Sequence, residues 1–279
     1  MAYTLSKLLQ DTYSTLGQMR IGRASDGSAS SLEDAALAGR HSDDEWKGGV
    51  IFIMEADDAA PQGEFAAISN FDAAAGVFTL SNPLSASVEN GDRYGLSSAF
   101  YPLETMIELT NAGLRALGDI PLVDEQTLMT FESGSSYVAT LEWARRRPLR
   151  IDFLAIPGTS SVDPWRTLHN WDFVPAAPGG NALVLFADAL PAGRPLRVWY
   201  QATHPALRSF DDPVAAAIPP ELAVAAGTER ALRWQAARLG GDTALQTRWQ
   251  RAQVELESAQ RAFPIWKPQR TAKLISIQR

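Results

Sequence analysis

The chain has 279 residues, a formal net charge of −7, 46% hydrophobic residues and no cysteine. These values exclude a disordered chain, and the lack of cysteine excludes disulfides, thiolate metal sites and cysteine nucleophiles, as expected for assembly in a reducing cytoplasm. The acidic charge argues against general nucleic-acid binding, and no run approaches the roughly 20 apolar residues of a membrane span.

The first 48 residues are predicted to form a helix and then a loop. Residues 4–17 place four leucines on one helical face, with Thr4 as a suitable N-cap and Gly17 where a C′ glycine belongs. This start has no basic region followed by an apolar one, so we expect no signal peptide. Residues 22–48 are rich in Ser, Ala, Asp and Gly, which predicts a long surface loop with one short helix at Leu32–Ala38.

Two β regions and a helix follow. Residues 49–100 contain four short strand-like runs separated by Gly, Pro, Asn and Asp, which predicts a small β domain. A helix is predicted at 101–118, where Pro102 stands at the start and Gly118 at the end. Residues 119–205 contain about six further strand-like runs, which predicts a second β domain with the architecture of a sandwich.

Two helices come next. The first is predicted from Glu221 to Leu239, after a pair of prolines and before a pair of glycines, and Asp242 caps the second. The second helix carries a heptad-like seam, which predicts packing in a helical bundle core. The seam consists of Leu245, Trp249, Ala252, Leu256, Ala259 and Phe263.

The predicted fold class is α+β. The segments 1–21, 101–118 and 219–263 are expected to form one helical bundle from the N-terminal, central and two C-terminal helices. Two β-sandwich or barrel units are inserted between these helices. Residues 264–279 follow Pro264 and lie outside every periodic segment, which predicts an extended C-terminal tail.

Sequence motifs for catalysis are lacking. The three histidines form none of the HxxxH, HxH or HExxH metal patterns, and no GxSxG elbow, P-loop or GxGxxG opening a helix occurs. The acidic runs at 43–45 and 211–212 fall in polar loops, where charges are usually solvated. We therefore predict that the chain is not an enzyme and binds no metal or cofactor; a glycoside or ester hydrolase is the least favoured reading.

Aromatic and basic residues in the second β region leave an alternative open. Tryptophans can form a sugar-stacking surface, although large aromatics more often pack in cores. A carbohydrate-binding β-sandwich protein of a phage or bacterial surface is thus the alternative function, with Trp143, Trp165, Trp171 and Trp199 as its binding residues. The run Arg145–Arg147 could bind anions or contact another subunit.

Several stretches resemble head–tail adaptor (connector) proteins of tailed bacteriophages. YTLSKLLQDTYSTLGQ resembles their amphipathic opening helix, and GEFAAISNFDAAAGVFTLSNPLSASVENGDRYGL resembles a strand–turn–strand pattern of phage virion proteins. FYPLETMIELTNAGLRALGDI, followed by β strands, and then IPPELAVAAGTERALRWQAAR with a second helix and a basic tail, complete the same order. The resemblance covers most of the chain apart from Gly22–Trp46 and contains no invariant motif.

The resemblance implies a structural virion protein, assembled in the host cytoplasm and located at the head–tail interface. Such adaptors form rings, usually twelvefold, that bind the portal protein and a downstream tail protein, which is a tail terminator, tail tube or nozzle. DNA passes non-specifically through the channel, and no membrane is involved. It implies no catalytic residues.

The tail is the predicted portal-docking segment, because it is basic, partly apolar and free of acidic residues. An extended segment of this kind can pair its backbone with a partner and anchor an aromatic side chain there. Tails that stay disordered are normally poor in Trp, Leu and Ile. The predicted docking residues are Trp266, Lys267, Arg270, Lys273, Leu274, Ile275, Ile277 and Arg279.

Overall fold

A computed structural model describes residues 2–124, 136–138, 148–154, 164–169, 171–174, 183–186, 195–240 and 242–265. Over these residues the chain is a mixed α+β protein with four helices and antiparallel sheets, so the predicted fold class is confirmed at this level. The chain divides into two compact units. The first combines Met1–Leu117 with His204–Pro264, and the second is built on Gly118–Thr203.

The first unit contains all four described helices, α1 (Leu5–Thr15), α2 (Leu103–Ala116), α3 (Pro220–Arg238) and α4 (Thr243–Ala262). Two of them begin at the predicted caps. The Thr4 hydroxyl accepts a hydrogen bond from the Lys7 amide, and the Asp242 carboxylate accepts from the amides of Ala244 and Leu245. Each cap satisfies backbone donors that the first helical turn leaves unpaired.

Helix α3 contacts each of the other three helices. Its approach to α2 is close because α2 has a glycine at the crossing. A Cβ atom at Gly113 would lie 2.7 Å from the carbonyl oxygen of Ala226, nearer than side chains normally come to backbone. The glycine therefore sets the distance between α2 and α3.

Seven strands of the first unit form one antiparallel sheet: β1 (Arg20–Arg23), β2 (Asp26–Ser28), β3 (Ser31–Glu33), β4 (Val50–Glu55), β5 (Phe65–Asp72), β6 (Val77–Leu80) and β7 (Arg93–Ser97). Their order in the sheet is β1-β7-β4-β5-β6-β3-β2. The two end strands, β1 and β2, are consecutive in the chain with only Ala24 and Ser25 between them. Buried side chains from across the sheet, including Ile51 and Phe78, share one apolar core.

The prediction of a surface loop at 22–48 is wrong. Strands β2 and β3 lie within it, and turns follow β3 where a short helix was expected. Leu32 of β3 is buried opposite Phe78 of β6. The Tyr94 hydroxyl donates a hydrogen bond of 2.6 Å to the Asp34 carboxylate, which ties the next turn to β7. The small polar residues of this stretch make tight turns between short strands, while a few leucines supply its core side chains.

The predicted β domain at 49–100 does not separate from the helices, because both belong to the first compact unit. Tyr13 of α1 packs edge-on against Phe52 of β4, with 5.6 Å between ring centroids. The Tyr13 hydroxyl also donates a 2.7 Å hydrogen bond to the carbonyl of Tyr101, just before α2. Burial raises the pKa of this hydroxyl. Helix α1 thus connects the sheet to the helical layer.

The second unit is all β in its described residues: β8 (Ile120–Asp124), β9 (Ser136–Val138), β10 (Arg150–Leu154), β11 (Trp165–Leu168), β12 (Trp171–Val174), β13 (Leu183–Phe186) and β14 (Leu196–Ala202). Four strands pair in the order β11-β10-β14-β8, and three pair in the order β12-β13-β9. Trp171 of the smaller sheet belongs to the same apolar core as Ile151, Leu196 and Val198 of the larger one.

Candidate functional site

His204 is a buried structural residue, only 2% exposed. Its Nδ1 lies 2.6 Å from the carbonyl oxygen of Pro205, and its Nε2 lies 3.0 Å from the amide of Ala215, which donates to it. A neutral ring with its proton on Nδ1 satisfies both contacts. Burial lowers the pKa of His204, which favours this neutral form.

The acidic runs hold turns together. The Asp43 carboxylate accepts a hydrogen bond of 2.9 Å from the Ala73 amide. The Asp212 carboxylate accepts from the amides of Arg208 and Ser209, and these two bonds lower the pKa of Asp212. Carboxylates that bond to backbone amides in this way stabilise turns.

The other two histidines lie elsewhere in the fold. His41 lies 3.0 Å from the Glu45 carboxylate on an exposed turn, and His169 is exposed. Across the described ranges, no group of three or more His, Asp or Glu side chains is placed to hold a metal ion.

The three described tryptophans of the second unit form contacts within it. Trp171 is buried, whereas Trp165 and Trp199 are half-buried. The Trp199 indole N–H donates to the Asp152 carboxylate at 3.0 Å, and the Arg197 guanidinium lies over the Trp165 ring at 4.3 Å. Trp171 donates its indole N–H to the Leu168 carbonyl at 3.2 Å, so each of the three rings has a partner within the second unit.

The predicted bundle core on α4 is buried in part. Leu245 is buried, and Trp249 and Leu256 are half-buried. The Trp249 indole N–H donates a hydrogen bond of 2.9 Å to the Glu229 carboxylate of α3. The prediction of Phe263 as a core residue is wrong, because this side chain is 37% exposed at the end of the helix. The regular spacing of apolar residues in the sequence continues past the last turn of α4 that is buried.

The opposite side of α4 is exposed along its whole length. Only Leu245 and Ala252 are buried among the 20 residues of the helix. Val254, an apolar residue, is 66% exposed in the middle of the far side. We call this side the outer face of α4, defined by Thr247, Gln250, Val254, Ser258 and Arg261.

A groove of about 630 Å³ separates β5 from α2. Residues Phe65–Ala67 of β5 form one wall, and Glu104 and Glu108 of α2 stand on the other. Leu103 and Ile107, which are almost fully buried, lie at its bottom. This volume is within the range of clefts that bind ligands. Sequence periodicity could not reveal the groove, since it depends on where two strands stop pairing.

Several residues with predicted roles lie outside the described part of the chain. They are Trp143, Arg145–Arg147 and the docking residues Trp266, Lys267, Arg270, Lys273, Leu274, Ile275, Ile277 and Arg279. Their roles stay predictions.

Among the described helices, none is both long enough and apolar enough to cross a membrane. A comparison with models of known protein families finds no match to this chain, and a search of curated proteins finds none either.

Proposed function

We propose that this chain is a structural virion protein, the subunit of a head–tail adaptor ring that bridges the portal to the tail and lines the DNA channel. The observation that carries the proposal is the outer face of α4. A helix of 20 residues with two buried side chains and a largely exposed valine is suited to contact with a neighbouring subunit.

The architecture supports the same proposal. The order helix, sheet, helix, sheets, helix pair is the order of elements on which the resemblance to adaptors rests. In the proposed fold, the four helices form a bundle around α3, and the first sheet curves into a barrel whose end strands, β1 and β2, are consecutive in the chain. The second unit is a two-sheet sandwich, and residues 264–279 extend from the bundle.

In the virion, twelve copies surround the channel at the head–tail interface. The tail from Trp266 to Arg279 docks on the portal, and the opposite side of the ring receives the downstream tail protein. Ordering a tail costs roughly 1–2 kcal/mol per residue, so it needs a partner surface that offsets this cost. The acidic net charge suits a channel wall that DNA passes without binding.

The test is attachment to portal rings from the same phage. Deleting Lys267–Arg279 should leave the circular dichroism spectrum unchanged but abolish co-sedimentation with the portal. Equal co-sedimentation of the shortened and full chains would show that the tail is not the dock. A full chain that forms no ring with the portal, by negative-stain imaging, would overturn the adaptor proposal itself.

Charge reversal in the tail separates its two kinds of contact. Reversing Lys267, Arg270 and Lys273 together should weaken attachment less than deletion does, because the apolar side chains remain. The remaining attachment should depend on salt if the charged contacts are exposed. A matched control reverses three exposed charges at Lys7, Arg40 and Lys47, which lie in the first unit.

Carbohydrate binding is the less supported alternative. The rings of Trp165 and Trp199 contact Arg197 and Asp152 within the second unit, which leaves less of them for a sugar. Specific binding on a glycan array together with a stable isolated dimer would favour this alternative over the adaptor.

A further inference from the structure

Residues 39–47, which lie between β3 and β4, form a connecting turn that is fixed to the end of β5. The Asp44 amide donates a hydrogen bond of 2.9 Å to the Phe71 carbonyl. The Asp43 carboxylate accepts from the Ala73 amide at 2.9 Å. The connecting turn therefore keeps its place on this side of the sheet whatever happens to its contacts elsewhere.

A side-chain contact joins the same turn to β1. This strand lies at one end of the sheet, and its only ladder neighbour among the described strands is β7. The Nη1 atom of Arg20 in β1 lies 3.2 Å from the Nε2 atom of His41. Of the hydrogen bonds within the described residues, this contact is the one that links β1 to the connecting turn. A titratable ring thus holds an end strand.

The two contacts of the His41 ring require its neutral form. Its Nδ1 lies 3.0 Å from the Oε1 atom of Glu45. A guanidinium can only donate and a carboxylate can only accept, so a neutral ring with its proton on Nδ1 satisfies both Arg20 and Glu45. Hydrogen bonds from the Ser42 amide and from His41 lower the pKa of Glu45, so this carboxylate stays ionised as the pH falls.

A second proton on the ring would reverse one of these contacts. It would bind to Nε2, and the new N–H would face the N–H of Arg20, so two donors and two positive charges would lie 3.2 Å apart. The contact with Glu45 would become an ion pair and would keep the ring where it is. Arg20 is therefore the group that has to move.

No other charged group bonds to the His41 ring within the described part of the chain. Trp46 and Phe71 contact it edge-on, with 5.6 and 6.4 Å between ring centroids, and neither carries a charge. The other charged groups of the connecting turn and of the adjoining end of β5 are Arg40, Asp43, Asp44, Lys47 and Asp72. None of these forms a hydrogen bond or an ion pair with the ring, since Asp44 pairs with Lys47 and both other carboxylates bond to backbone amides.

We propose that His41 is a proton-operated latch, which ties β1 to the connecting turn when the ring is neutral and releases Arg20 when the ring is protonated. Release loosens β1 first, because this end strand then keeps only its ladder with β7. The connecting turn remains bonded to β5. Histidine is the side chain suited to such a switch, since its charge ordinarily changes between pH 5 and 8. The inference does not rest on the adaptor proposal.

The Gly22 amide in β1 reports the release. The Ala24 amide donates to the Asp92 carbonyl, and the alternation of an antiparallel ladder directs Gly22, two residues earlier, toward β7 as well. Hydrogen exchange of the full chain, measured by NMR at pH 7.5 and pH 5, gives a protection factor that corrects for intrinsic exchange. We expect this factor to be about threefold lower at pH 5, which corresponds to the loss of one partly exposed hydrogen bond.

Two variants separate the latch from other effects of acid. His41→Gln keeps an acceptor for Arg20 and a donor for Glu45 but takes up no proton, so Gly22 should be equally protected at both pH values. Arg20→Ala has no latch, so the protection factor should have the lower value at both. The control His169→Gln, at an exposed site, should keep the pH response of the unaltered chain. All these chains retain His204, so its titration affects them alike.

The ring nitrogens of His41 give an independent measurement. At pH 7.5 their ¹⁵N shifts should show a protonated Nδ1 and a bare Nε2. The opposite tautomer would overturn the inference. A Gly22 protection factor that is the same at both pH values in the unaltered chain, or a pH response that persists in His41→Gln, would overturn it as well.

Discussion

Helices α3 and α4 are adjacent and similar in length, with 19 and 20 residues, but they are buried to very different depths. On α3, nine residues are buried and these face all directions, because α1, α2 and α4 surround it. On α4, two are buried, and both lie on one stripe. The helix with the clearer sequence stripe is therefore the one that contributes less to the core.

Small residues explain this difference. Helix α3 carries Ala223, Ala226, Gly227 and Ala231, which let neighbouring helices approach from several sides. A helix surrounded in this way needs no single apolar stripe. Helix α4 keeps its larger apolar side chains on one side, apart from Val254, and its outer face is exposed.

The largest effect is expected for Leu222→Ala in α3. Leu222 is buried, so emptying its site should lower the free energy of unfolding by about 2–5 kcal/mol. The matched change is Leu256→Ala on α4. Leu256 is half-buried, so the free energy of unfolding should fall by about 1 kcal/mol. Urea unfolding of both variants measures the difference. Equal losses would mean that α4 is as much a part of the core as α3.

The crossing of α2 and α3 gives the next effect. In Gly113→Ala the new methyl group would meet the Ala226 carbonyl at 2.7 Å, so the helices must move apart. We expect a loss of about 1–3 kcal/mol in unfolding free energy, despite the better helix propensity of alanine. Gly240→Ala, at a position with open space, is the control and should cost less. A stabilised Gly113→Ala variant would show that the crossing is loose.

Acid should lower the stability of the folded chain because His204 is buried. Burial lowers the pKa of His204 in the folded chain below its ordinary 6.5, so the unfolded chain binds the proton more readily. The contribution of neutral His204 to stability is therefore complete above pH 6.5. It is lost as the pH falls from 6.5 toward the pKa of His204 in the folded chain. Thermal unfolding from pH 7.5 to 5 measures this. His204→Gln should flatten the profile, whereas His169→Gln, at an exposed site, should not.

The smallest effect on folding is expected on the outer face of α4. Val254→Ser removes the two methyl groups of an exposed valine, so the free energy of unfolding should change by less than about 0.5 kcal/mol. Ring formation on the portal should nevertheless weaken, because the valine is the apolar centre of the proposed subunit contact. Ser258→Ala, on the same face, is the control. Unchanged ring formation in Val254→Ser would remove this face from the interface.

Local signals in the sequence predicted part of this structure. Thr4 and Asp242 cap the helices as expected, since capping depends on residues two or three positions apart. The sequence predicts a loop at Leu32 because the burial of Leu32 depends on Phe78, which lies far along the chain. Phe263 fits the heptad-like spacing of α4, but it is exposed because the buried part of the helix ends before it.

The candidate groove could not be predicted from the sequence either, because it depends on contacts between residues far apart in the chain. Pro83 marks a turn in any reading, but its position opposite Phe65 follows only from the register of β5 and β6. The groove also brings Glu104 and Glu108 of α2 into one lining with Arg208, which is distant in the chain. Long-range register, not residue type, creates this surface.

The small number of buried residues on α4 also affects which part of the molecule unfolds first. A helix held by one narrow stripe should separate from α3 at a lower free energy than global unfolding, as a unit that exchanges its amide protons early. Such a helix can tilt on its stripe without disturbing the sheet or α2. In the proposed ring, a subunit built in this way would tolerate small differences in the angle to its neighbour.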